Sequence, residues 1–184
     1  EKLAQNFQNK KATGQTCGEP NDDKAEHGAA CASGGGRWKK HKELAKAVGG
    51  LGKRWYGVVP AFEQHITELD QTLEDGTVTR AILDVVLPLR SGTQLVDVTV
   101  RQGAAGDTAA RRAASRRVGV PSRTAEQEKH TRYPCRNLLA FAVEGCGRLG
   151  GEARAWLKLG AYGQPADVQV HELTRAHRVI SAAV

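Results

Sequence analysis

Two aspartates, Asp84 and Asp97, lie within apolar runs typical of β-strands, Ala81–Leu87 and Leu95–Val100. The short segment between them, residues 88–93, predicts that the two runs form a hairpin. A carboxylate is costly to bury unless it is paired or binds a cation. Carboxylate oxygens are the ligands that Mg²⁺ prefers in proteins. The sequence therefore predicts a divalent-cation site, with Mg²⁺ or Mn²⁺ bound and phosphodiester cleavage as its chemistry.

Three further side chains are candidates for the same site. Lys129 and Tyr133 are four residues apart on a predicted helix and share one of its faces. An ammonium group there would stabilise charge that develops on a phosphate, and the phenol would orient the phosphate or the attacking water. Glu63 would add a third carboxylate. We expect the carboxylates of Asp84 and Asp97 to lie within about 5 Å of each other, with Lys129 beside them.

The distribution of charge is uneven around the two aspartates. The chain carries a formal net charge of +7, but residues 58–100 hold 2 basic and 7 acidic side chains. Residues 1–57 hold 11 basic and 6 acidic side chains, and residues 101–136 hold 9 and 3. An acidic centre between basic flanks is expected if a cation binds the acids and a nucleic-acid backbone lies across the rim. On charge alone, a solvated basic surface explains the pattern equally well.

The elements that must position these residues alternate between helix and strand. Phe62 and Ile66 begin a helical spacing that predicts a helix over residues 60–73, and this helix carries Glu63. Further helices are predicted over residues 37–48 (ended by Gly49 and Gly50), 108–118, 125–133, 152–159 and 172–180, and further strands over residues 55–59 and 138–143 and at Val168 and Val170. The order predicts an α/β fold with a small mixed sheet flanked by helices.

The polar N-terminal segment contains a separate group of candidate metal ligands. Cys17, His27, Cys31 and His41 are separated by nine, three and nine residues. A Gly-rich segment without a core of its own gains most from a structural Zn²⁺, and this spacing suits one. A disordered linker with incidental Cys and His residues is the alternative.

Features of the whole chain exclude two classes of protein. The sequence contains no run of 18 apolar residues and no secretory signal, so we expect neither a membrane protein nor a secreted one. It begins without Met, which indicates a piece of a longer protein. Without a secretory signal, cysteines favour metal binding over disulfides. Cys135 and Cys146 have no His at ligand spacing and are predicted to be small buried side chains.

The catalytic candidates resemble a known nuclease pattern. Asp84, twelve residues, Asp97, and then Lys129 to Tyr133 on a later helix resemble the restriction-like endonuclease of site-specific non-LTR retrotransposons, a branch of the PD-(D/E)XK superfamily. Thr99 stands where many other superfamily members have Lys, as is typical of this branch. Residues 138–150 resemble the strand and glycine loop that follow in related element-encoded proteins. The resemblance implies a restriction-endonuclease-like fold for residues 49–160, followed by a tail over 161–184.

The same family places a Cys-Cys-His-Cys zinc knuckle before its nuclease. Cys17-Gly18, His27, Cys31 and the basic helix containing His41 follow that pattern, so residues 1–48 are expected to form an irregular zinc-knuckle-like segment and a basic helix. The usual first Cys would fall near Gly14, and His41 is the candidate to replace it.

The resemblance implies a function for the whole parent protein. It would nick target DNA in the nucleus and prime reverse transcription from the nick. Its partners would be DNA, with RNA as a second candidate, and the rest of a reverse transcriptase polyprotein. The residues expected to hold DNA phosphates are Lys39, Lys40, Arg111, Arg112, Arg116 and Arg117. Two alternatives remain open: a catalytically decayed nucleic-acid-binding module, and a structural protein of a larger assembly in which Asp84 and Asp97 pair with arginines.

Overall fold

The computed structural model describes residues 36–101 and 119–184 of the chain. Within these residues the backbone forms four α-helices, one short 3-10 helix and six β-strands, which confirms the predicted mixed α/β class. In chain order, the elements are α1 (Gly36–Tyr56), β1 (Ala61–His65), the 3-10 turn (Thr67–Leu69), β2 (Gln71–Thr72), β3 (Val78–Thr79), β4 (Ile82–Leu89), β5 (Gly92–Arg101), α2 (Val120–Arg132), β6 (Leu138–Glu144), α3 (Gly151–Tyr162) and α4 (Gln169–Ala183).

Four strands form the main sheet in the order β1-β4-β5-β6. β4 and β5 are an antiparallel hairpin in which Leu89 pairs with Gly92, so the predicted hairpin is confirmed. β1 adds to β4 in antiparallel orientation, and β6 pairs with β5 in parallel. A parallel pair needs a long crossover between its strands, and α2 lies in that connection. The small pair β2-β3 is separate from this sheet.

The two faces of the sheet bury different side chains because successive residues of a strand point to opposite sides. On one face Val96, Val98 and Phe141 join a core that is completed by α1, α3 and α4. On the other face lie Asp97 and, beside it on β6, Ala140. The helix α2 packs on β5 and β6, and the small alanine side chain leaves room for it. The sheet is therefore covered by helices on both faces, as the sequence predicts.

Helix α1 continues past the glycines that were predicted to end it. Its Leu51 and Trp55 are buried in the main core, so tertiary burial stabilises the last two turns. Glycines at this point serve close packing against the sheet. A Cβ atom on Gly49 would lie 2.6 Å from Cζ of Phe62, and one on Gly52 would lie 2.7 Å from Cδ2 of Leu87. The strand predicted over residues 55–59 was wrong because Trp55 belongs to this buried helical face.

Two other predicted elements were wrong. Residues 60–73 form β1, the 3-10 turn and β2 instead of a helix, since the backbone of β1 pairs with β4 and Phe62 remains partly exposed. The strand predicted at Val168 and Val170 is the start of α4. Both segments carry weak local patterns that long-range pairing and packing override. The helices predicted over residues 125–133, 152–159 and 172–180 and the strand over 138–143 are confirmed, with ends that differ by a few residues.

The C-terminal helix belongs to the same core as the sheet. Ala176 and Ile180 of α4 are buried in it, and Glu172 accepts hydrogen bonds from Arg54 and Trp55 of α1. The predicted division of the chain at residues 48 and 160 stays a prediction, although α1 runs without a break across the first of these positions.

Several predictions concern residues outside the described ranges. These are the helix over 108–118, the zinc candidates Cys17, His27 and Cys31, and the four arginines between residues 111 and 117. Cys135 is half-buried and Cys146 is exposed, so the prediction that both are buried was wrong. In residues 36–101 and 119–184, no helix is long and apolar enough to cross a membrane.

Candidate functional site

Asp84 and Asp97 lie on the two strands of the hairpin, at the point where the strands separate. The pairing of β4 with β5 includes Val85 with Val96. One further step in this register places Asp84 opposite Asp97. The two are not paired through their backbones there. Instead, the backbone N–H of Val98 donates a hydrogen bond of 2.6 Å to Oδ2 of Asp84. The carboxylate of Asp84 thus lies against the residue that follows Asp97.

The neighbouring strand β1 is also distorted at this position. Phe62 pairs with Val85 and Gln64 pairs with Leu83, so Glu63 falls opposite Asp84 in the register. Glu63 has a φ of 51°, the left-handed region that non-glycine residues seldom adopt. Strained backbone of this kind is concentrated at functional sites. Glu63 is exposed at the edge of the sheet, on a strand and not on the helix that the sequence predicts.

Lys129 is beside Asp97, as the sequence predicts. Its Nζ lies 2.9 Å from Oδ1 and 2.8 Å from Oδ2 of Asp97. The side chain of Asp97 is only 5 % exposed and that of Lys129 only 20 %. Burial raises the pKa of Asp97 to about 6; the Lys129 ammonium opposes this shift, and the nearby carboxylate of Asp84 adds to it. The site therefore holds a buried carboxylate that gains a proton more readily than an ordinary aspartate does.

His41 reaches the same site from α1, on the opposite side of the sheet from Lys129. Its Nε2 lies 2.9 Å from the carbonyl oxygen of Val98 and 3.3 Å from Oδ2 of Asp84. The hydrogen bond to Asp84 is the main reason that the pKa of His41 is raised, and burial opposes it. The sequence predicts His41 as a zinc ligand and misses this contact. The signal was present, because His41 precedes the buried Leu44 and Ala45 by three and four residues and so shares their face.

Tyr133 is buried next to the aspartates, immediately after α2. It is 3 % exposed and packs with Leu83, Leu95 and Leu138 in a small second core. Burial raises the pKa of its hydroxyl, and the charges of Asp97 and Asp84 add smaller contributions in the same direction. The ring therefore packs against this end of the sheet, while its hydroxyl interacts electrostatically with both carboxylates.

The donor set suits a hard divalent cation held by few protein ligands. Asp84 and Asp97 offer carboxylate oxygens, and Mg²⁺ is commonly bound by one or two carboxylates together with water and substrate phosphate. Within the described residues, no group of three or more His, Cys, Asp and Glu side chains is arranged to hold a metal ion. A cation at this site would thus depend on oxygen atoms from the solvent or the substrate for the rest of its coordination. Glu63 is not brought into a set of three with the aspartates.

The remaining site candidates are only partly described. Lys39 and Lys40 lie on α1, immediately before His41, with Lys39 exposed and Lys40 half-buried. These two positive charges precede His41, the residue that contacts Asp84, by two and one positions in the chain. The structure does not describe Arg111, Arg112, Arg116 and Arg117, so their predicted contact with DNA stays a prediction.

Comparison with known proteins gives no relative for this chain. No family model matches the sequence, and neither the curated proteins nor the solved structures contain a significant match.

Proposed function

We propose that this chain is a metal-dependent DNA endonuclease domain of a retrotransposon polyprotein, with a restriction-endonuclease-like fold, that nicks one strand of its target. The observation that carries the proposal is that Asp84 and Asp97 directly follow the last recorded pair of the β4–β5 hairpin, Val85 with Val96, while Lys129 contacts Asp97. The contact between Lys129 and Asp97 supports the combination of two carboxylates and an ammonium group that the sequence spacing predicts.

Asp84 and Asp97 would hold Mg²⁺ or Mn²⁺ through their carboxylate oxygens. When bound, the cation would polarise the scissile phosphate and lower the pKa of the attacking water. Lys129 would then exchange its contact with Asp97 for a phosphate oxygen and stabilise the charge that develops there. Its side chain is 20 % exposed, which would allow contact with a phosphate that enters the site. Tyr133 would orient the phosphate or the water, and Glu63 would assist at the edge of the site.

The DNA backbone would lie across basic residues on both sides of the aspartates. Lys39 and Lys40 on α1 are next to His41, which contacts the site directly. The arginines at 111, 112, 116 and 117 would supply the other basic flank. Neutralising phosphates in this way makes binding strongly dependent on salt concentration. A zinc knuckle that contains Cys17, His27 and Cys31 would bind nucleic acid ahead of the nuclease. The rest of the polyprotein would supply reverse transcription in the nucleus.

The test is nicking of supercoiled plasmid by the purified chain in Mg²⁺. The substitution Asp97→Asn keeps the size of the side chain and removes its charge. We expect conversion to open circles by the unsubstituted chain and a loss of about 100-fold or more in the variant, the scale of losing one key electrostatic group. Asp167→Asn, at an exposed position after α3, is the matched control and should nick normally. Equal nicking by Asp97→Asn and the unsubstituted chain would contradict the proposal.

One observation favours a second candidate, a nucleic-acid-binding module without turnover. Lys129 and His41 already contact Asp97 and Asp84, so the carboxylates have cationic or hydrogen-bonding partners without any metal ion. In that case the chain would bind DNA with an affinity that falls steeply as salt rises, and would leave the plasmid supercoiled in Mg²⁺ and in Mn²⁺. Both readouts come from the same preparation, so the two candidates are separated in one set of experiments.

A further inference from the structure

His41 lies on the face of α1 that packs on the sheet. It precedes Leu44 by three residues and Val48 by seven, and both of these side chains are completely buried. Residues at these spacings lie on one side of a helix. The position of the His41 ring is therefore set by the packing of α1 on the sheet, and not by a mobile loop.

The atoms that His41 contacts determine which of its two ring nitrogens carries a hydrogen. The carbonyl oxygen of Val98, 2.9 Å from Nε2, can only accept a hydrogen bond. Nε2 of His41 therefore carries a hydrogen, and this nitrogen also lies 3.3 Å from Oδ2 of Asp84. The backbone N–H of Val98 donates to the same Oδ2 at 2.6 Å. Both backbone polar groups of Val98 are thus engaged, one by His41 and one by Asp84.

These contacts hold the side chain of Asp84 against the backbone next to Asp97. Val98 directly follows Asp97, so a link from His41 to Val98 and Asp84 ties the backbone at Asp97 to the side chain of Asp84. Both of these contacts to Asp84 use Oδ2, which leaves Oδ1 for a cation. A nitrogen that carries a hydrogen donates and does not ligate a metal. Carboxylates that bind metals are commonly held by such outer hydrogen bonds, whose loss weakens metal binding by about 10- to 100-fold.

We propose that His41 is a positioning residue that orients Asp84 for cation binding through its Nε2–H group. The proposal rests on the proposed metal-dependent function and assigns His41 to the aspartate site in place of the zinc knuckle.

The first experiment measures Mn²⁺ binding by calorimetry in the full chain without DNA. We expect His41→Ala to weaken binding by about 10-fold or more, with a melting temperature close to that of the unsubstituted chain. His41→Gln, whose amide N–H can replace Nε2–H, should recover part of the affinity. His65→Ala is the matched control, since His65 also contacts an aspartate, Asp70, and its side chain is 38 % exposed against 36 % for His41. Unchanged affinity in His41→Ala would overturn the proposal.

The second experiment needs no substitution and holds even if His41→Ala fails to fold. Long-range proton–nitrogen NMR of the unsubstituted chain reports which ring nitrogen carries the hydrogen. We expect the Nε2–H signal of His41 to persist when Mg²⁺ is added and also when Zn²⁺ is added. Loss of that hydrogen on addition of either metal would show direct ligation and would overturn the proposal. A chain that binds Mn²⁺ through this arrangement but does not nick DNA would contradict the proposed function alone.

Discussion

Lys129 on α2 donates a hydrogen bond of 2.9 Å to Oδ1 of Asp97 on β5, and its Nζ also lies 2.8 Å from Oδ2. The pair joins the crossover helix to the centre of the sheet. Two opposing influences act on Asp97, since burial raises its pKa and the ammonium group of Lys129 lowers it. Removing a charged partner from such a buried pair leaves the other uncompensated, so each member can be tested by replacing the other.

Replacing Lys129 with Met should raise the pKa of Asp97 above its value of about 6 in the metal-free chain. The substitution keeps most of the side-chain volume and removes the charge that favours the ionised carboxylate. Carbon-13 NMR of the aspartate carboxyl groups over a pH titration measures the change. Lys158→Met, at an exposed position on α3, should leave the titration of Asp97 unaltered. A fall in the pKa of Asp97 in the Lys129 variant would show that Lys129 does not stabilise the ionised form.

The hydroxyl and the ring of Tyr133 should make separate contributions, the ring to stability and the hydroxyl to activity. Tyr133→Phe keeps the ring buried among Leu83, Leu95 and Leu138, so the free energy of unfolding should change by less than about 1 kcal/mol. Tyr133→Ala should lower it by about 3–5 kcal/mol, as removal of a buried aromatic ring does. Urea unfolding measures both changes. If the hydroxyl orients the phosphate, Tyr133→Phe will also slow plasmid nicking while the chain remains stable. Equal stability of the Ala and Phe variants would be inconsistent with the described packing.

The same Gly→Ala substitution should have opposite effects on α1 and α3. A Cβ atom on Gly160 would lie 2.1 Å from Cε3 of the buried Trp55, so Gly160→Ala should destabilise the chain by about 1–3 kcal/mol through overpacking. A methyl group on Gly50, inside α1, would meet no atom within 4 Å, and Gly50→Ala should stabilise by about 0.5–1 kcal/mol. Thermal unfolding of the two variants side by side tests the contact between α3 and α1. Destabilisation of similar size in both would argue against that contact.

Glu172 should contribute stability that is lost in acid. Hydrogen bonds from Arg54 lower the pKa of Glu172 to about 2, and the bond from Trp55 acts in the same direction. An unfolded Glu has a pKa of about 4.3, so the contribution is complete above that pH and disappears as the pH falls toward 2. Glu172→Gln should therefore flatten the dependence of stability on pH in this range. Glu68→Gln, which changes an exposed carboxyl group, should retain it.

Truncation of the same side chain tests the hydrogen bonding at neutral pH. Glu172→Ala removes the acceptor of the Trp55 indole N–H, which is buried. Leaving such a donor without a partner lowers the free energy of unfolding by about 1–3 kcal/mol. The guanidinium of Arg54 is nearly half exposed, so solvent screens the ion pair and we assign most of the loss to the indole. The control introduces Glu172→Ala into a chain that already carries Trp55→Phe. If the free energy of unfolding then falls by the same amount relative to Trp55→Phe alone, this assignment is contradicted.

Those parts of the site that depend on local pattern could be predicted from the amino-acid sequence. The apolar runs around Asp84 and Asp97, joined by a short turn, specify a hairpin, and hairpin geometry brings the two residues opposite each other. Lys129 was predicted to lie beside them because it shares one face of a predicted helix with Tyr133, and the structure places it on Asp97. The buried run of β6 was also recognisable, because continuous apolar strands are typical of parallel pairing.

The features that depend on distant contacts could be learned only from the folded chain. Residues 61–65 form a strand because β4 offers an edge to pair with, and no local pattern specifies that partner. The glycines of α1 have the pattern of a helix end, but the approach of Phe62 and Leu87 shows that they provide space. His41 meets the carbonyl of Val98, 57 residues away, because the packing of α1 on the sheet turns its ring toward Asp84. Hydrogen bonds and burial between distant segments depend on the assembled core, and sequence spacing does not encode them directly.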